Sequence, residues 1–147
     1  RWFEQTLARS TATHRFVFTH HVLGTGRGGI ELAKGFEWGD AAAFATRRPG
    51  WGLPIHQLMV KHGVTVFFQG HDHIFVHQEL DGVIYQTLPE PANPNATYEN
   101  DDAYLSGVKH PNSGHVRVEV GPSAVTVTYI HSFLDRPDEK AYSYRAR

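Results

Sequence analysis

The chain has 147 residues, enough for one domain with a real core. A formal net charge of −1 gives no basic field for nucleic acid or an anionic membrane, and no apolar run approaches the roughly 18 residues of a membrane span. The absence of cysteine excludes disulfides, thiolate metal sites and a cysteine nucleophile, but does not decide the compartment.

The opening residues read as a helix entered midway, because Trp2, Phe3, Thr6 and Leu7 fall at helical spacing. No initiator methionine, signal-peptide pattern or capping residue precedes them, so the chain is expected to be a fragment or processed piece of something longer. Residues 10–13 are a polar loop, and Phe16-Val17-Phe18-Thr19 is a short buried strand ending in His20-His21. The Gly-rich segment Gly24-Thr25-Gly26-Arg27-Gly28-Gly29 then leads into an irregular stretch with Trp38 and Trp51. A helix is predicted over 54–62: Pro54 suits the first turn, Ile55, Leu58 and Met59 make one apolar face, and Gly63 suits the C-terminal cap. A strand over 64–69 follows, giving an αβ unit of the kind that builds layered sheets.

Past Gly70-His71-Asp72-His73 the period changes to two. Residues 74–80 and 83–88 flank Asp81-Gly82, a pair that supplies the positive φ angles of a two-residue hairpin turn. A second hairpin is predicted from Val116, Val118 and Val120, through residues 121–124, into the strand 125–130. The segment 89–114 between the hairpins is a long loop, a feature that is usually functional or mobile. The tail after Leu134 is polar and reads as peripheral. There is no internal repeat and no second domain.

The chemistry concentrates where two apolar strands end in histidine. Residues two apart on an extended backbone share a side, so His71 and His73 can converge on one point, with Gly70 allowing a tight turn before them. With His20-His21 ending the earlier strand, the pattern points to a metal site at one edge of a sheet, imidazole being the commonest metal-binding side chain. Adjacent strand residues point to opposite faces, so one of His20 and His21 should reach a shared metal; the other contacts substrate or packs. Asp72 either accepts a hydrogen bond that orients a histidine or faces water.

The Gly-rich segment lacks the Lys-Ser/Thr ending of a phosphate loop and the spacing of a dinucleotide fingerprint, so it reads as a flexible loop; Arg27 within it is a candidate contact for an anionic ligand. His56, His62, His77, His110, His115 and His131 read as helix-face, strand-face or loop residues rather than ligands. Asn95-Ala96-Thr97 fits a glycosylation acceptor, relevant only in a eukaryotic secretory setting.

The order helix, strand, Thr-His-His, long segment, helix, strand, Gly-His-Asp-His, hairpin resembles the C-terminal half of calcineurin-like metallophosphoesterases. That superfamily includes purple acid phosphatases and cyclic nucleotide phosphodiesterases. The resemblance covers roughly residues 1–131 and rests on Phe18-Thr19-His20-His21 and Gly70-His71-Asp72-His73, with Val22 standing where many members have proline. It implies an α/β fold, the C-terminal portion of a two-sheet β-sandwich flanked by helices. It further implies phosphoester hydrolysis at two divalent or trivalent ions (Zn, Mn, Fe or Co), with His20 and His71 on one ion and His73 on the other. His21 and Arg27 are candidate substrate contacts. The family's N-terminal motifs, Asp-x-His, Gly-Asp-x-x-Asp and Gly-Asn-His-Asp/Glu, do not occur here. The partner implied is therefore the missing N-terminal half of the same domain, and this chain alone is expected to be inactive. The resemblance slightly favours a secreted or periplasmic setting.

Two rival readings make different demands. A cupin-like metal-binding barrel also uses His-x-His, but it places a glutamate three or four residues after the pair and a glycine about six before; Glu79 is too far along and Gly70 is adjacent. A non-catalytic β-rich interaction module would leave the histidines incidental and bind no metal tightly. No serine sits in a nucleophile-elbow pattern. Specificity is expected from the loops 22–52 and 89–114, where Trp38, Trp51, Tyr98 and Tyr104 are candidates for an apolar wall beside an organic leaving group.

Overall fold

A computed structural model describes residues 1–23, 26–33, 41–93, 95 and 97–147, and the side chains of all of these except residues 32 and 33. The expected tryptophan at 38 and the first two residues of the Gly-rich segment lie outside them.

The predicted first helix is α1 (Trp2–Arg9), and the first strand is β1 (Phe16–Phe18). The stretch read as irregular holds two short helices, α2 (Ile30–Ala33) and α3 (Ala41–Arg47). Helix α4 (Ile55–Lys61) begins one residue later than predicted because Pro54, at ψ 159°, caps it from outside. Its far end is closed by Gly63 at φ 61°, where the Gly63 amide donates to the Val60 carbonyl and the Val64 amide to that of Met59. These two bonds satisfy carbonyls the last turn would otherwise leave unpaired. They also explain why strand β2 (Val66–Gln69) starts two residues after the predicted 64: the Val64 amide serves the cap and the Thr65 amide serves Arg15 O.

Strands β3 (Phe75–Leu80) and β4 (Val83–Thr87) form the predicted hairpin, with Asp81 and Gly82 at φ 51° and 79°. The long loop that follows carries a 3₁₀ turn (Asp101–Ala103) and an edge strand, β5 (Val108–His110). Strands β6 (Gly114–Val120) and β7 (Val125–His131) form the second hairpin. The tail is not peripheral: β8 (Glu139–Ala146) pairs antiparallel with β7 along its length. Its Tyr142, Tyr144 and Ala146 alternate with Ser143 and Arg145, a period of two that the polar character of the tail obscures.

The strands form a five-stranded sheet in the order β1-β2-β4-β3-β5 and a three-stranded sheet in the order β6-β7-β8. In the first, β1, β2 and β4 run parallel, and β3 runs against β4 and β5. Alternation along the central strands assigns their two faces. Phe67, Val83 and Tyr85 meet Leu7, Ile30 and Met59 from the helical side. Val66, Phe68 and Ile84 meet Val125, Val127 and Ala146 from the second sheet. The expected α/β protein of two packed sheets with flanking helices is what the chain forms. Each fully buried Phe or Met in these layers is worth about 1.5–3 kcal/mol of transfer free energy.

Farther along the inter-sheet layer the contacts turn aromatic. Phe75 stacks on Tyr129 at 4.6 Å, and the His77 ring lies flat on Tyr144 at 3.8 Å while its Nδ1 pairs with the Tyr142 hydroxyl at 3.1 Å. Burial lowers the pKa of His77 below its ordinary 6.5, and burial together with the His131 imidazole lowers that of His110. Below pH 6.5 the unfolded chain then binds protons that the folded chain resists, so stability is full above that pH and declines beneath it. Urea unfolding at pH 7.5 and 5.5 should show this decline, and His77→Phe with His110→Phe should flatten it; an unchanged slope in the double variant refutes the assignment.

Candidate metal centre

Parallel strands bring their carboxyl ends to one rim, and in open α/β sheets that rim is where ligands bind. Here the chain leaves β1 into His20-His21, leaves β2 into Gly70-His71-Asp72-His73, and leaves β4 towards Glu90. The turn after β2 thus has the end of β1 on one side and the end of β4 on the other.

The two β1 and β2 exits are pinned together by backbone. The Thr19 amide donates to Phe68 O at 3.0 Å and the Gly70 amide to His20 O at 2.9 Å. A Cβ on residue 70 would lie 3.2 Å from that same oxygen, so it is close approach that calls for glycine here. The left-handed backbone falls instead on the histidines, with His71 at φ 72° and His73 at φ 54°. The turn is therefore not extended, and the expectation that the two imidazoles converge on one point does not hold.

Each histidine joins a different group. His20, His21 and His71 each offer a ring nitrogen, all within 4.8 Å of one another, and their ring centroids are 4.6–5.5 Å apart. His73 is grouped in the same way with Glu90 and Glu99. The expectation that only one of His20 and His21 reaches the shared point also fails. Strand β1 stops at Phe18, and the chain bends at 20–21, so the strand rule of opposite faces no longer applies. The Thr19 hydroxyl donates to His21 O at 2.6 Å across that bend.

His71 is half-buried, whereas His20 and His21 are exposed. Desolvation, and after it the His21 imidazole and the Arg27 guanidinium, lowers the His71 pKa below 6.5. A neutral imidazole is the form that binds a metal ion. Three imidazoles around one point suit borderline ions such as zinc or cobalt.

Asp72, fully buried between the two histidines, neither orients a histidine nor faces water. Its carboxylate accepts from Arg27 Nη1 at 2.8 Å, from the Gly28 amide at 2.9 Å and from the Tyr104 hydroxyl at 2.7 Å. Asn100 Nδ2 donates to its backbone oxygen at 3.1 Å. Residues 26–29 are accordingly a packed strap rather than a flexible loop, and a side chain at Gly29 would strike Gln78. Arg27 is held by one nitrogen and half-exposed, close enough to His71 to affect its charge.

Among the described residues, Tyr104 and Trp51 do not form the expected apolar wall. Tyr104 is buried on Asp72 and Thr87, with burial raising its pKa, while Trp51 lies under the Arg48 guanidinium. His56, read as incidental, is buried between Tyr85 Oη and Asp81 Oδ2 at 2.8 and 3.0 Å. Sequence reasoning missed Glu90 and Glu99. Glu90 could have been found by its place just past β4, as His71 stands past β2; Glu99 lies in the loop with no local signal.

The chain is thus a mixed α/β protein of two packed sheets whose parallel-strand rim carries a histidine cluster. No protein-family model matches it, and no curated protein sequence matches it significantly. Among solved structures it is similar to GAP50, the anchor in the inner membrane complex of Plasmodium, at TM-score 0.62 and 12% identity, over 99% of this chain and 41% of that one. The likeness shows a shared fold that includes the tail, and this chain spans less than half the length of GAP50. Vps29 from Entamoeba histolytica, in a structure complexed with Zn²⁺, superposes at TM-score 0.36 and 17% identity over 66% of this chain and 48% of that one, too low to establish a shared fold. No helix among the described residues is long and apolar enough to cross a membrane.

Proposed function

We propose that this chain is the C-terminal half of a metallophosphoesterase domain, and that the complete protein hydrolyses phosphoesters at a dinuclear metal centre. The observation that carries the reading is the division of the Gly-His-Asp-His turn. His71 groups with His20 and His21, and His73 with Glu90 and Glu99, so one turn supplies a histidine to each of two candidate ligand groups. His20 and His71 would hold one ion and His73 the other, drawn from Zn, Mn, Fe or Co. Two bound ions would supply charge neutralisation on the phosphoryl group and activation of water. The chain's own contribution is positional. Desolvation lowers the pKa of His71, His21 stands beside it, and Arg27, fixed on Asp72, is available for a phosphate oxygen.

The missing ligands would come from polypeptide that packs on the β1 edge. Phe18 is 68% exposed and Trp2 76% exposed, and between them runs an apolar groove of about 330 Å³ that also includes Phe3, Leu23 and Ile55. A strand edge with such a flank is a site for pairing with further chain. GAP50 extends well beyond the region of likeness, which accords with a larger domain.

A second reading draws on the description of GAP50 as an anchor: a non-catalytic binding module that keeps the fold. Its cupin-like form is at odds with the mixed, partly parallel sheet, since a cupin is a closed antiparallel barrel. Metal content by elemental analysis, paired with turnover of a nitrophenyl phosphate and its diester, separates the readings. The proposal expects about two equivalents of metal and hydrolysis in the complete protein. Absence of hydrolysis in the complete protein refutes the proposal, and absence of both metal and hydrolysis supports the non-catalytic module, which binds no metal tightly.

A further inference from the structure

We infer that His73, Glu90 and Glu99 form a divalent-cation site in their own right, with two carboxylate ligands supplied by the loop after β4. The inference stands on these three side chains and holds whether or not the complete protein hydrolyses phosphoesters.

Topology is the first support. Glu90 leaves the carboxyl end of β4 beside the turn that leaves β2, so the fold itself brings His73 and Glu90 to one rim. Glu99 reaches the same point from nine residues farther along the loop. Described residues of the loop are hydrogen-bonded around them. The Glu90 backbone amide donates to Asn112 Oδ1 at 2.9 Å, and Asn93 Nδ2 donates to Glu99 Oε1 at 2.9 Å and to Glu90 Oε2 at 3.4 Å.

The second support is spacing. His73 Nδ1 lies 3.5 Å from Glu90 Oε2 and 3.3 Å from Glu99 Oε2. Both are longer than a charge-assisted hydrogen bond of about 2.7–2.9 Å. They match the edges of a coordination shell, since bonds of about 2.0–2.2 Å at tetrahedral to octahedral angles set neighbouring ligands about 3–3.5 Å apart. Asn93 ties Oε1 of Glu99 and leaves Oε2 facing the imidazole.

Charge is the third. Among the described residues, the ion pairs of Glu90 and Glu99 are with His73 alone. Imidazolium would cancel one of the two negative charges, and a divalent ion cancels both while leaving the ring neutral. One nitrogen and two carboxylates suit an oxygen-preferring ion such as Mn²⁺, in contrast to the all-nitrogen cluster of His20, His21 and His71.

The test is titration of the metal-free protein with Mn²⁺, followed by electron paramagnetic resonance and spin-echo modulation. One bound ion should show nitrogen modulation from a single imidazole, lost in His73→Ala. Glu90→Gln and Glu99→Gln should each weaken binding at least tenfold, and Glu119→Gln, on the outer strand β6, should leave it within twofold. Circular dichroism checks each fold, and if Glu90→Gln does not fold, Glu99→Gln carries the comparison. Equal affinity in the folded glutamine variants, no Mn²⁺ bound at millimolar concentration, or no imidazole signal lost in His73→Ala overturns the inference. None of these readouts depends on hydrolysis.

Discussion

Alanine at His71 should remove hydrolysis by the complete protein, with a loss on the order of 10³-fold in kcat/KM, equivalent to about 4 kcal/mol of transition-state stabilisation. Of the clustered imidazoles His71 is the half-buried one, and it is held by the backbone bond from Gly70 to His20. Desolvation and the neighbouring His21 imidazole lower its pKa, which lessens proton competition for the ring. Removing it leaves His20 and His21, two exposed side chains on a bend, which are a poor chelate on their own. His73→Ala should cost as much by emptying the other position, whereas His115→Ala, on an exposed strand position, should cost nothing. Metal content measured beside turnover identifies the cause: occupancy should fall with activity. Full activity in either the His71 or the His73 variant refutes the assignment of that residue.

The legible part of this fold is the part set by short-range rules. Asp81-Gly82 declares its hairpin because both residues must take positive φ, and Gly63 declares the end of α4 for the same reason. The strand after α4 follows from its unbroken apolar run, since β2 is buried on both faces. Strand β8 was hidden by composition: its exposed edge carries Glu139, Lys140 and Arg145, which mask the inward Tyr142, Tyr144 and Ala146. The site was legible as a set of histidines at strand ends, but not as a geometry. Strand rules predict that His71 and His73 converge and that His20 and His21 diverge. The chain leaves the strand before each pair, and both relations reverse. Glu90 and Glu99 join His73 through the course of a long loop, and no local rule of periodicity or capping reports where such a loop returns.

Asp72→Ala should destabilise the protein by about 2–4 kcal/mol, because it deletes the acceptor of a buried network and leaves the donors in place. The Gly28 amide and the Tyr104 hydroxyl, both withdrawn from water, would each lose a bond of 2.9 Å or less. The half-exposed Arg27 can recover hydration, which keeps the estimate at the lower end of the range for a broken buried pair. For a chain of this length the loss corresponds to roughly 5–15 °C in Tm. Asp72→Asn separates shape from charge. Its amide oxygen can still accept, but its nitrogen is a donor set against donors, so it should recover only part of the loss. Tyr104→Phe, which removes one hydroxyl shared by Asp72 and Thr87, should cost about 1–2 kcal/mol. The same network ties the strap at residues 26–29 and the 3₁₀ turn to the backbone between His71 and His73, so loosening it should also weaken metal binding. An order of effects Ala > Asn > Tyr104→Phe in thermal melts, with metal affinity falling in the same order, is the expected result. If Asp72→Ala melts within 2 °C of the parent, the buried carboxylate does not hold these segments together.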